Sequence, residues 1–336
     1  MSDNSLIPIL AAILAQSAPL MLAITGETLT ERVGVINLSL DGTMLISAMA
    51  GFVIALKTKE MLNTPTDTIP VLAGFLAAGL IGALVALLIA WGSIRLKQDQ
   101  VAIGFILTLL LADMANFFGQ NYTRLPGPHV TYLPIPGLSQ IPILGPLLFS
   151  HDLLIYSTLI IVGAVWWFLY KTQPGLRLRG VGERPESAFV RGVPVNTLRY
   201  LYAALGGFLV GLSGAAFSLD IKLGWSDNHI AGFGWIALAI VIFGGWHPLR
   251  GAVGALLFGA TKTIAQSLQQ SYPEVPTVLF NSLQWLLMLG VLLMVGSSEI
   301  TRRLVQVAPR PLQAPLTRIL RVAPPASLGR AFGQES

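Results

Sequence analysis

An all-α polytopic membrane protein with about nine transmembrane helices, in a range of eight to ten, is the fold class this sequence predicts. Three observations carry it. Of the 336 residues, 54% are hydrophobic and only 11% are charged, against about 25% charged in an ordinary soluble domain. Mean hydropathy is +0.70. The apolar residues fall in continuous runs close to the ~20 residues a helical span needs, not in the alternating pattern of a transmembrane barrel.

In chain order the runs are 6–24, 33–56, 70–94, 101–119, 153–170, 199–221, 233–246, 252–270 and 277–297. The first has no basic flank and reads as a retained span rather than a secretory signal. The second reads as a span that is open to a break, and the seventh is short. An odd number of spans puts the termini on opposite sides, and the basic residues choose between the two orientations. With the N-terminus outside, the inner segments hold sixteen: Arg32, Arg95, Lys97, Lys171, Arg177, Arg179, Arg184, Arg191, Arg199, Arg250, Arg302, Arg303, Arg310, Arg318, Arg321 and Arg330. The outer segments hold four, Lys57, Lys59, Arg124 and Lys222. That asymmetry is the positive-inside pattern of a cell inner membrane protein. It also accounts for the net charge of +5 without nucleic acid as a partner.

The transmembrane domain thus covers 1–297. It carries a Pro- and Gly-rich extracytoplasmic loop at 121–152 and a charged cytoplasmic loop at 171–199. Residues 298–336 form a basic, proline-containing tail, expected to be mobile and to lie near anionic lipid headgroups. Gly207 and Gly211 have the spacing of a close helix contact. With no cysteine, disulfide and thiol chemistry are excluded. His129, His151, His229 and His247 lie on separate loops without ligand spacing, and no nucleophile motif occurs. No catalytic, metal or cofactor site is expected.

The most charged stretch is KTQPGLRLRGVGERPESAFVRGVPV, 171–195. Pro174 and Gly175 are expected to end the preceding helix. Pro185 suits the first turn of a new one, Glu186 and Arg191 complement its dipole, and Gly192 stops it before Pro194. The result is a helix of about two turns with Pro185, Ala188 and Phe189 on one face. By its chemistry it is either a docking peg for a partner's groove or a basic surface loop.

This stretch resembles the cytoplasmic coupling loop of ABC importer permeases of the family serving ribose-type sugars, branched-chain amino acids and nucleosides. The matching positions are Gly175, Arg177, Arg179, Gly182, Glu183, Pro185, Ala188 and Gly192; Gly180, Ser187 and Val193 are mild departures. GETLTERVGVINLSLDGTMLISA, 26–48, resembles a second family segment through Gly26, Glu27, Glu31, Arg32, Gly34, Val35, Asn37, Leu38 and Gly42, with Asp41 where Glu is usual. AGFGWIALAIVIFGGWHP, 231–248, resembles a third, in the form of the nucleoside branch. The resemblance spans about residues 20–296. It implies the ABC importer permease fold with a cytoplasmic coupling helix. The coupling residues would be Arg177, Arg179, Gly182, Glu183, Pro185, Ala188, Phe189 and Gly192. It also implies separate ABC ATPase subunits, since the chain has no phosphate-binding loop of its own. A second, related permease chain and an extracytoplasmic substrate-binding lipoprotein complete the set.

Polar residues inside spans usually face a cavity or a partner. Asn37 and Asp41, expected one turn apart on one helix face, and Asp113 with Asn116 are the candidate pathway or substrate residues; each pair could equally be structural. Lys262 is expected to pair with a carboxylate. Phe105, Phe117, Trp225, Trp235 and Trp285 could stack on a base or serve as packing. The expected function is the permease role for nucleosides. A ribose-type sugar or branched-chain amino acid is the alternative substrate, and an ion-gradient-driven secondary transporter is the alternative class.

Overall fold

The computed structural model describes residues 6–296 and 323–333. The chain is helical almost throughout; among the described residues the extended pairing is limited to two isolated bridges, Thr123 with Trp225 and Tyr132 with Asp152. Among the described residues six helices are long and apolar enough to cross a membrane. They are α1 (Leu6–Arg32), α2 (Leu40–Leu62), α3 (Thr68–Ile94), α4 (Gln100–Gly119, continued by a short turn to Tyr122), α5 (Leu153–Lys171) and α8 (Val195–Ala216, continued to Ile221). Between α5 and α8 lie α6 (Gln173–Glu183) and α7 (Pro185–Val190); α9 (Phe233–Phe243), α10 (Pro248–Ser271) and α11 (Thr277–Gly296) follow. Of the expected nine runs, six are those long apolar helices, α11 is a further apolar helix of 20 residues, and α9 and α10 differ. α9 has only 11 residues, about 16 Å of rise, or half the ~30 Å hydrocarbon layer. α10 carries Lys262, Gln266, Gln269 and Gln270, which lower its hydropathy.

α1 is the central post. Every residue from Ser17 to Glu31 is buried. Its hydroxyls add no unpaired groups, because Thr25 and Thr28 donate to the carbonyls of Met21 and Ile24 at 2.6 and 2.7 Å. α8 packs against α1, α2 and α3, and glycine makes the approach possible. A Cβ at Gly206 would lie 2.5 Å from the Gly26 carbonyl oxygen, and one at Gly211 would lie 2.1 Å from that of Ala78. The spacing of Gly207 and Gly211 therefore does mark a helix contact. α3 turns the stripe Leu72, Leu76, Leu80, Leu84 and Leu88 outward, the face expected against acyl chains.

One end of the bundle, here the basic end, carries Arg32, Arg95, Lys97, Lys171 and the segment 172–199. The opposite, far end carries Asn63 and the loop 120–152. That loop is irregular, as its prolines require, and is pinned by backbone bonds from Arg124 to Trp225 and from Val130 to Leu219 at 2.9 and 3.1 Å.

Two boundaries differ from expectation. α1 runs on to Arg32, and residues 33–39 are unwound before α2 starts. Asn37 lies in this linker, not on a helix face with Asp41. Its Oδ1 accepts from the Ser39 amide at 3.1 Å and from the Ser39 hydroxyl at 2.6 Å, a local alternative to helical bonding. Pro174 and Gly175 open a helix rather than end one. Thr172 caps α6 by accepting from the Gly175 amide at 3.1 Å, and Pro174 sits in the first turn, where no N–H is missed.

Candidate functional site

Two polar constructions stand out inside the apolar bundle. The first is a junction between α2 and α9. The chain 225–232 descends along α4 without helical structure: Trp225 packs at Gly119, and the Asn228 amide donates to Asn116 Oδ1 at 3.2 Å. Gly232, at φ +91°, then turns into α9. α9 starts beside the start of α2 and runs the other way, toward the basic end. Asp41, in the first turn of α2, accepts from the amides of Gly232 and Gly234 at 2.8 and 2.9 Å. It therefore caps α9, matching a carboxylate to the positive end of that helix. A Cβ at Gly234 would lie 2.3 Å from the Asp41 amide nitrogen, so only glycine lets the two helix starts meet. The Trp285 ring covers Gly232 from α11. Thr108 of α4 donates to the Leu38 carbonyl at 2.7 Å and closes the other side.

The second construction is the corner at the basic end. Gly182, the penultimate residue of α6, lies on the end of α1; a Cβ there would be 2.0 Å from the Arg32 carbonyl oxygen. Arg32 reaches the turn between α9 and α10, donating to the carbonyls of Trp246 and Gly245 at 2.8 and 3.1 Å, and approaches Glu183 at 3.9 Å. Glu31 accepts from the Trp246 indole. Glu27, one turn earlier, accepts from the Asn37 amide at 3.3 Å. The Arg179 guanidinium lies over the Tyr170 ring, 4.9 Å from its centre, and that ring stacks on His247. The His247 imidazole is held below its ordinary pKa by burial, with Arg250 and Arg32 adding to the shift. Glu27 and Glu31 were visible in the sequence as carboxylates four apart, but no role was expected of them. The structure makes them the link between the corner, the 33–39 linker and the α9–α10 turn.

α7 begins at Pro185, with Glu186 in its first turn. It stops at Gly192, φ +78°, where the Val193 amide bonds back to the Ala188 carbonyl at 3.0 Å. It spans six residues rather than two full turns. The face shared by Pro185, Ala188 and Phe189 is divided: Pro185 and Ala188 are buried in this chain, while Phe189 is 44% and Val190 86% exposed. Beside them Leu176, Arg177, Arg184, Ala188, Arg191 and Val193 line an open groove of about 570 Å³.

The other expected site residues separate. Asp113 is exposed on the outer face of α4, in line with the exposed Phe105, Leu109, Leu110 and Phe117. Asn116 is partly buried and bonds Asn228 through both amide atoms, so the two do not form one site. Lys262 has no carboxylate partner among the described residues. Its ammonium lies over the rings of Phe233 and Phe217, 5.0 and 5.5 Å from their centres, a cation–π arrangement. Trp225 is buried and packs edge-on against His229, so it is not free to stack on a ligand. Trp285 remains half-exposed beside Gly232.

The comparisons bear on the same regions. The family model described as branched-chain amino acid transport system / permease component matches residues 9–295. A putative glucose ABC transporter permease from Haloferax volcanii is 38% identical over 75% of this chain and 74% of its own length. A guanosine ABC transporter permease from Bacillus subtilis is 35% identical over 80% of this chain and 86% of its own. A nucleoside ABC transporter permease from Lactococcus lactis is 34% identical over 78% and 83%. No solved structure matches. With the matched stretch running from α1 into α11, and so holding both the Asp41 junction and the α6–α7 corner, the chain belongs to the family of branched-chain amino acid transport system permease components.

Proposed function

We propose that the chain is the membrane-spanning permease subunit of an ATP-driven ABC importer for nucleosides. The observation that carries the mechanism is the meeting of α6 with the end of α1. A corner that projects Phe189 and Val190 outward is in van der Waals contact, through Gly182, with the linker that leads to Asp41. Displacement of α7 by a partner ATPase would reach the junction through the unwound but largely buried 33–39 linker. The chain crosses the bilayer nine times in this reading. The unwound stretch 225–232 and α9 together make one crossing, α10 and α11 make two more, and the basic end faces the cytoplasm with the N-terminus outside. Broken spans whose helix starts meet at mid-depth are a common construction for substrate passage.

A second, related permease would complete the pathway against the exposed face of α4, where Asp113 interrupts an otherwise apolar surface. A carboxylate at that depth is costly against lipid, so this face is read as lining a pathway. Asp113 there could accept from ribose hydroxyls, with Phe117 and Trp285 offering ring faces to a base. An extracytoplasmic binding lipoprotein would deliver substrate to the far end. Guanosine and nucleosides in the names of two relatives support the substrate class, and glucose in the third keeps a simple sugar as the other reading.

The test uses the assembled importer in proteoliposomes, with labelled guanosine, uridine, ribose, glucose and leucine offered separately. Uptake of the nucleosides that needs ATP and survives a protonophore is expected. Uptake that follows a proton gradient without ATP would move the chain to the secondary transporters, and uptake of glucose or ribose alone would replace the substrate. Phe189→Asp is expected to abolish uptake while the chain still reaches the membrane.

A further inference from the structure

Residues 323–333 do not behave as the tail that their composition suggests. They return to the α6–α7 corner and form a hook on it. The Ser327 side chain is buried; its hydroxyl donates to the carbonyl of Gly182 at 2.7 Å, and its amide bonds the same oxygen at 2.9 Å. The Ala326 amide donates to Glu183 Oε2 at 3.3 Å. The Gly329 amide bonds the Gly34 carbonyl at 3.2 Å, with Gly329 at φ +75°. The Phe332 ring lies against Phe189, centres 5.7 Å apart. Arg199, in the first turns of α8, is wholly buried. Among the described residues its hydrogen-bond partners all come from the hook: the Arg330 carbonyl at 2.9 Å and the Ser327 hydroxyl at 3.5 Å. A buried guanidinium without partners is strongly disfavoured, so α8 is built to receive this segment.

We propose that residues 325–332 are the second half of the coupling element. The hook ties three parts of the chain into one body: the α6–α7 corner at Gly182 and Glu183, the 33–39 linker at Gly34, and α8 at Arg199. A push on α7 is then delivered to the linker and to α8 together, and Phe332 backs the exposed Phe189 ring so that it does not yield. The inference rests on the coupling role assigned above to α7.

The experiment measures uptake of labelled guanosine and ATP hydrolysis together, for the assembled importer in proteoliposomes. A chain ending before Ala323 is compared with the full chain and with Phe189→Asp. The same truncation carrying Arg199→Met removes the charge that loss of the hook would strand, and so keeps the chain foldable. Truncated complexes are expected to assemble and hydrolyse ATP, while guanosine moved per ATP falls about tenfold, the size of a typical coupling between sites. An unchanged ratio in the truncated chain, with Phe189→Asp inactive, would overturn the hook's role and leave α7's intact. Normal uptake by Phe189→Asp would remove the coupling reading itself.

A second measurement uses the full chain and its lack of cysteine. Tyr200 and Gly333 line one cavity of about 430 Å³, and a Cβ at Gly333 meets nothing within 4 Å. Tyr200→Cys with Gly333→Cys should cross-link with a short bismaleimide and keep its uptake, because hook and α8 move together. No cross-link, or uptake lost on cross-linking, overturns the proposal.

Discussion

The two ends of the bundle are built differently. At the basic end five segments far apart in sequence interlock through buried groups. Gly182 touches the Arg32 backbone, Glu31 holds Trp246, and Ser327 and Arg199 are buried among carbonyls. At the far end the 120–152 loop seats Gly127 on the buried Phe52 ring and Val130 on the core, and over the rest of its length is held by a few backbone bonds and by surface pairs such as Lys59 with Asp67, 2.5 Å, and His129 with Asp67, 3.3 Å. Buried contacts with no spare volume transmit displacement, because a packed interior deforms little. Surface pairs are worth about 0–1 kcal/mol and can open and reclose. The difference fits an end that receives force and an end that receives substrate.

Gly182→Val is the strongest way to break this contrast. With the Arg32 carbonyl oxygen 2.0 Å from a Cβ, the corner must move off α1, at an overpacking cost of about 1–3 kcal/mol. Uptake should be lost, and the thermal midpoint of the detergent-purified complex should fall. Thr131→Val, a change of like size at an exposed position of the far-end loop, should leave uptake within about twofold, as surface changes usually do. Equal losses at the two sites would remove the distinction between the ends.

Asp41 sharpens the comparison from the middle. Asp41→Ala strips α9 of its cap, a loss of about 1–2 kcal/mol. Asp41→Asn keeps an acceptor oxygen and should recover most of it. If the residue binds substrate instead, both variants should raise KM and neither should change stability. Transport kinetics measured beside the thermal midpoint separate the two outcomes.

Much of this layout was legible in the sequence, and the losses have identifiable causes. Pro185, Glu186 and Gly192 set the bounds of α7 because they act locally, through φ and the helix dipole. Thr172 gives no cap signal that distinguishes α6 from a loop, and Pro174 means opposite things one residue before and one residue after a helix boundary. Asn37 was placed on a helix because its run is apolar, while its own side chain bonding to Ser39 unwinds the backbone there. Lys262 was given a carboxylate because a buried cation needs a partner; Phe217 and Phe233 supply it, and ring faces at long sequence separation leave no local trace. The hook was hidden for the same reason. Ser327 and Arg199 are 128 residues apart, and composition describes a tail without saying where it lands.

A smaller effect is expected on the face of α4. Asp113→Asn keeps size and polarity and removes only charge. If that face lines the pathway, guanosine KM should rise about threefold to tenfold, the loss of one hydrogen bond to a charged group being roughly 1.5–3 kcal/mol before water replaces it. Asp113→Leu should lower kcat as well. Unchanged kinetics in both would assign the face to the partner permease or to lipid.

The smallest effect belongs to the far end and depends on pH. Burial alone would push the Asp67 carboxyl up. The hydrogen bonds from Lys59 and the His129 amide, and the charges of both partners, outweigh it and hold the group below the usual carboxylate range. A lowered folded value stabilises the ionised, paired form above the ordinary pKa near 4, and that contribution is lost as pH falls through the folded value. The carboxylate should therefore stay ionised and paired with Lys59 down to pH 5, and release of the loop should come only in more acid solution. Protease nicking within 121–152, followed in a pH series with an acid-active protease, should show that late onset. Asp67→Asn should be nicked faster at neutral pH, by a small factor in keeping with a surface pair, and the difference should close in acid as the wild type loses the same pair; Gly182→Val should not alter nicking at all. Faster nicking in Gly182→Val would mean that the two ends are one mechanical unit, with the stiffness of the basic end reaching the far loop.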